Sequence, residues 1–216
     1  FLHTPIDQLS VNAAASIERG IGGIKLKVGQ PDGKIDIQRV EAVRKHLGDH
    51  VPLMVDANQQ WDRPTAQRMC RIFEQFNLIW IEEPLDAYDH EGHAALAATF
   101  DTPIATGEML TSLSEHYDLI RHRAADYLMP DAPRVGGITP FLKIAALAEH
   151  AGIALGPHFA MELHVHLGAC YATEPWVEHF DWLEPLFNER LETKNGRMIV
   201  PTRPGLGLSL SEQARA

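Results

Sequence analysis

The sequence predicts an α/β fold, a TIM-type (β/α) barrel. Three observations predict it. Short β-rich runs alternate with helix-length amphipathic segments. The repeat interval is about 25 residues, close to one unit of such a barrel. Polar residues recur at the ends of nearly all the β-rich runs. Strand–helix alternation implies parallel crossovers. A doubly wound open sheet, the structural alternative, would gather its site at one switch point instead.

Taken in order, the strand candidates are Ile24–Val28, Pro52–Ala57, Leu78–Glu83, Pro103–Glu108, Asp126–Asp131, Ile153–His158 and, less sharply, Phe180–Leu186. The helical segments are Asp7–Arg19, Ile35–Leu47, Pro64–Phe76, His90–Ala98, Ser112–Arg121, Thr139–Ala151 and Glu162–Thr173. The strand count is seven where a full barrel has eight. Residues 1–3 are read as the tail of the missing first strand.

Composition narrows the function. The 216 residues are 45% hydrophobic and 22% charged, the balance of a folded soluble protein. There is no apolar run of about 18 residues for a transmembrane helix. The start, Phe1-Leu2-His3-Thr4-Pro5, has no basic segment followed by an apolar stretch, so a signal peptide is expected to be absent or removed ahead of this numbering. Cys70 and Cys170 read as reduced thiols of a cytoplasmic protein. A formal net charge of −10 argues against nucleic acid and anionic membrane as partners. An anionic substrate would therefore need positive charge concentrated in the site.

Three strand candidates end in an acid: Asp56, Glu82 and Glu108, at equal intervals of 26 residues. Adjacent strands lie about 4.8 Å apart, so acids at one height on three neighbours converge. Such carboxylates repel unless protonation or a cation relieves them. Oxygen-only ligands with room for water and substrate suit Mg2+ better than zinc. For any one acid alone, a helix cap or a solvated loop explains it better. Glu83 points away from Glu82 by strand alternation and reads as a supporting acid.

Lys25 and Lys27 lie two apart and share a face. Two adjacent ammonium groups should lower the pKa of at least one and make it a usable base. Lysines turned outward on an edge strand are the plain alternative. His158 and Asp131 end consecutive strand candidates, and an aspartate bound to an imidazole fixes its tautomer and raises its basicity. The remaining histidines read as packing or surface residues. Among them His164 and His166, two apart on a helix, have poor ligand geometry. Gly136 and Gly137, after Arg134, allow a tight turn into a helix. Glu184, on the last strand candidate, either hydrogen-bonds substrate or is a salt-bridged barrel acid.

Together these residues resemble the mandelate racemase subgroup of the enolase superfamily. The resemblance runs over essentially the whole chain. Stretches such as GIGGIKLKVGQP, PLMVDANQQWDR, DTPIATGEMLTS and PHFAMELHVHLGA more specifically resemble the L-talarate/galactarate dehydratases. The resemblance implies Mg2+ held by Asp56, Glu82 and Glu108. It implies an acid/base pair of Lys27 and His158, with Asp131 supporting His158. Lys25 assists at the substrate carboxylate, with Glu184 and Asn58 as further substrate-binding residues. The implied activity is acid-sugar dehydration of a hexarate dianion, and the implied assembly is a homo-oligomer. The family's N-terminal α+β capping domain has no counterpart in these residues, which read as the barrel domain over 1–216. A racemase or epimerase with the same bases is the nearest alternative. A barrel fragment with a binding or assembly role is a further one.

Overall fold

The computed structural model describes residues 2–215. Six parallel strands form one sheet in chain order: β1 (Ile24–Lys27), β2 (Leu53–Asp56), β3 (Ile81–Glu82), β4 (Ile104–Thr106), β5 (Tyr127–Leu128) and β6 (Ala154–Leu155). Helix α1 (Ile6–Glu18) precedes β1. Helices α2 (Gly33–Leu47), α3 (Arg63–Phe73), α4 (His90–Thr99), α5 (Leu113–Arg121) and α6 (Ile138–Ala151) fill the crossovers, and α7 (Met161–Gly168) follows β6. Four of these helices begin where a short polar side chain accepts a free backbone N–H. Asp32 caps Lys34, Asp62 caps Thr65, Asp89 caps Gly92 and Ser112 caps Glu115.

Strand alternation sorts the core. Val55, Ile81 and Ile104 face outward and pack with Val40, Val43, Phe73 and Leu96 of the helices. Leu128 and Leu155 do the same with Leu119, Phe141 and Ile144. Inside the curve lie Met54, Trp80, Ala105 and Met129, packed against Tyr127 and Trp176. Met54 and Trp80 stand two residues before Asp56 and Glu82. The inner apolar layer is thus the floor on which those acids rest.

The structure changes three sequence expectations. Leu2 and His3 lie in a turn rather than a strand, and Phe1 lies outside the described residues. Phe180–Leu186 is not a strand: Glu184–Leu186 forms a short 3-10 turn containing Pro185, which has no N–H for a ladder. The open side of the sheet is spanned instead by the extended stretch around residues 175–180. Its Trp176 ring sits 6.3 Å from Trp80. An unanticipated hairpin, β7 (Thr193–Lys194) and β8 (Arg197–Met198), turns at Asn195 and Gly196. Both have positive φ, 53° and 76°, and an Asn-Gly pair is the sequence signal for such a turn. Among the described residues no helix is long and apolar enough to cross a membrane.

Helix α4 carries a test of pH-linked stability. His93 is fully buried, with Nδ1 3.0 Å from the Asp89 carbonyl, and burial lowers its pKa. The unfolded chain therefore takes up a proton at this ring below about pH 6.5 that the folded chain resists. Stability relative to a His93→Gln variant should fall as pH drops from about 7.5 to 5.5. Urea unfolding of both proteins at the two pH values reads this. A pH-independent difference would contradict it.

Candidate metal centre and acid-base site

The sheet register assembles the site. Lys27 pairs with Asp56, and Asp56 pairs with Glu82. Glu82 in turn pairs with Ala105, so Glu108 lies three residues beyond the matching height. Equal sequence intervals therefore did not mean equal register. Gly107, at φ +127°, turns the chain after β4 and returns Glu108 toward the other acids. One oxygen from each of Asp56, Glu82 and Glu108 lies within 4.8 Å of the others. All three acids are buried. Asp56 Oδ1 accepts the Asn58 N–H at 2.8 Å, and Glu82 Oε2 accepts the Trp80 indole N–H at 3.0 Å. A converging set of three carboxylate oxygens fits a hard divalent cation.

Both lysines point inward. Lys25 Nζ lies 2.6 Å from Glu82, 2.5 Å from Glu178 and 3.6 Å from Asp56. Lys27 pairs with Asp56. Burial opposes the charge on Lys25, but Glu82, Glu178 and Asp56 outweigh it and hold its pKa well above the ordinary range. The expectation that the pair lowers a lysine pKa therefore fails at Lys25. Its nearest neighbours are carboxylates, and it is a fixed positive charge. Glu82 is also shifted upward, which in a carboxyl disfavours the charged form. Burial, helped by Asp56 and Glu178, overcomes Lys25 and pushes its pKa up to about 8.

His158 Nδ1 donates to Asp131 Oδ2 at 2.9 Å, and its Nε2 lies 3.3 Å from Glu108. The Arg134 N–H donates to Asp131 Oδ1 at 2.9 Å. Burial disfavours the imidazolium, but Asp131, Glu108 and Glu178 together raise the His158 pKa. Lys27 and His158 thus stand at opposite ends of the acid row, one against Asp56 and one against Glu108. Asn58, at φ +42°, lies past the end of β2. With Lys25, Lys27, Glu108, His158 and Glu178 it lines a cavity of about 1320 Å³.

Glu184 does not join them. It pairs with Arg190 at 2.9 Å and does not line the cavity. The acid at that place is Glu178, which also accepts the Phe159 N–H at 2.8 Å. A signal for it existed. Trp-x-Glu occurs at 80–82, 176–178 and 182–184. Trp176-Val177-Glu178 repeats the arrangement of Trp80-Ile81-Glu82, with the ring in the inner layer and the acid above it. Glu83 is buried at φ +39° and accepts from Gln59 at 3.0 Å. Burial pushes its pKa up to about 7.

Residues 8–214 match the enolase C-terminal domain-like family. The chain is 68% identical over 215 residues to an L-talarate/galactarate dehydratase of Salmonella typhimurium, covering all of this chain and 54% of that protein. It is 38% identical to a 3,6-anhydro-alpha-L-galactonate cycloisomerase of Streptomyces coelicolor, over 97% of this chain and 58% of the relative. It thus spans little more than half the length of these relatives. An L-talarate dehydratase from Polaromonas sp. JS666, solved with Mg and L-glucarate, superposes with a TM-score of 0.98 at 85% identity. That match covers all of this chain and 60% of the other. The parallel sheet, the converging acids and these matches agree: the chain belongs to the enolase C-terminal domain-like family.

Proposed function

We propose that this chain is the barrel domain of a Mg2+-dependent acid-sugar dehydratase acting on a hexarate dianion of the talarate or galactarate type. The observation that carries the reading is the convergence of Asp56, Glu82 and Glu108 between two proton carriers, Lys27 and His158. The dehydratases named above support the choice of reaction and of metal. The unpaired Cys70 and Cys170 support a cytoplasmic setting.

Asp56, Glu82 and Glu108 would hold the cation, which when bound would supply positive charge against a substrate carboxylate. Lys25, kept cationic by three carboxylates, binds the same substrate carboxylate. Lys27 or His158 removes the α-proton, according to the configuration of that carbon. The electrons of the α C–H bond form the C=C bond as the neighbouring C–O bond breaks. His158 protonates the departing hydroxyl, which leaves as water, and the enol product tautomerises to a keto-deoxy acid. Asp131 keeps His158 Nδ1 protonated, so Nε2 is the nitrogen that exchanges the proton.

The test is a screen of acid sugars with the intact enzyme and Mg2+. A product that forms a semicarbazone is expected from talarate or galactarate. Interconversion of epimers without keto acid would replace this reading with the racemase one.

A further inference from the structure

We infer that His164 is a positioning residue that clasps together the two loops carrying Asp131 and His158. Its Nε2 accepts the Ala132 N–H at 3.1 Å. Its Nδ1 lies 3.0 Å from the Phe159 carbonyl and donates to it. Ala132 follows Asp131, and Phe159 follows His158. One ring therefore spans the loop after β5 and the loop after β6, one residue beyond each member of the proton-transferring pair.

Several features suit His164 to this task. It is fully buried in the first turn of α7 and stacks on Phe141 of α6, with ring centroids 5.4 Å apart. Bonding an N–H with one nitrogen and a C=O with the other requires a neutral ring in a single tautomer. Burial supplies that neutrality by lowering the His164 pKa. The backbone it grips needs support. Phe159 and Ala160 have φ of +58° and +21°, a conformation that side chains with a Cβ adopt only when the surroundings impose it. The Phe159 N–H is held by Glu178 and its C=O by His164. Both polar ends of that strained residue are thus tied to side chains, the half-buried Glu178 and the buried His164. His164 touches neither the acid row nor the lysines, so it acts on the chemistry only by fixing where the His158 ring sits relative to Asp131.

The inference rests on His158 as a proton carrier, so its test includes a readout that needs no substrate. In the intact Mg2+-loaded enzyme, His164→Phe removes both hydrogen bonds. His164→Gln keeps a donor and an acceptor at similar reach. His164→Asn keeps the bond to Phe159 but is too short for Ala132. The low-field proton resonance of the His158–Asp131 hydrogen bond, in 15N-histidine-labelled protein, should broaden or move in the Phe and Asn variants and persist in the Gln variant. Keto-acid formation should fall about 10- to 100-fold in kcat for Phe, less for Asn, and recover in Gln, with Mg2+ affinity unchanged. If His164→Phe does not fold, the contrast between Asn and Gln decides. Wild-type resonance and kcat in the Phe variant, or Asn and Gln variants that behave alike, would overturn the inference. If the wild-type enzyme dehydrates no acid sugar, the functional reading fails while the resonance still reports on the clasp.

Discussion

Replacing His158 with asparagine is expected to lower keto-acid formation by the intact enzyme about 10²- to 10⁴-fold, the range of a lost positioned proton transfer. The structure gives that ring two different neighbours. Asp131 holds Nδ1 at 2.9 Å, and Nε2 faces the acid row 3.3 Å from Glu108. Asparagine preserves some bulk and a donor toward Asp131 but has no nitrogen that titrates near neutral pH. The loss should therefore appear in kcat, with Mg2+ affinity little altered, because His158 is not one of the three converging acids. Lys27 stands beside Asp56 at the other end of the row and should still exchange the α-proton of substrates of suitable configuration with solvent deuterium. Steady-state kinetics and deuterium incorporation by NMR measure the two effects. A variant that dehydrates within threefold of the wild-type rate would remove His158 from the mechanism.

Exhaustive chelation is expected to abolish turnover, a loss of at least about 10³-fold, with recovery on adding Mg2+. Electrostatics provides the reason. Asp56, Glu82 and Glu178 contact the lysines and Glu108 converges with Asp56 and Glu82, so these four acids outnumber Lys25 and Lys27 by two formal negative charges in a largely buried space. Burial, with Asp56 and Glu178 adding to it, raises the Glu82 pKa and resists its ionisation. A divalent cation would balance the excess. Without it a substrate carboxylate would approach a site of its own sign. Calorimetric titration of the chelated enzyme with Mg2+ should find one site, weakened in Glu82→Gln. Full activity after rigorous chelation would refute the metal role.

Much of this arrangement was legible in the sequence because its causes are local. The runs ending in Asp56 and Glu82 alternate inward and outward residues, and that alternation places Met54 and Trp80 below the acids and Val55 and Ile81 in the outer core. The helix starts lie within about two residues of those expected from the sequence, and the caps that fix them, Asp32, Asp62, Asp89 and Ser112, reach only two or three residues. Lys25 and Lys27 were placed on one face for the same reason, and both do face the acids.

Only the tertiary structure decided what depends on where distant segments return. Glu108 needed the turn at Gly107, not its sequence interval, to meet the other acids. The choice between Glu178 and Glu184 turned on which of two similar Trp-x-Glu stretches crosses the open side of the sheet. The charge state of Lys25 depended on three carboxylates 31, 57 and 153 residues away in the chain, which reversed the pKa shift expected from Lys27 alone. His164 looked like a poor ligand beside His166, yet its partners, Ala132 and Phe159, become neighbours only when β5 and β6 pair. Periodicity and capping act over a few residues, so one sequence states them directly. Charge balance and hydrogen bonds between loops depend on distances that exist only after the chain has folded.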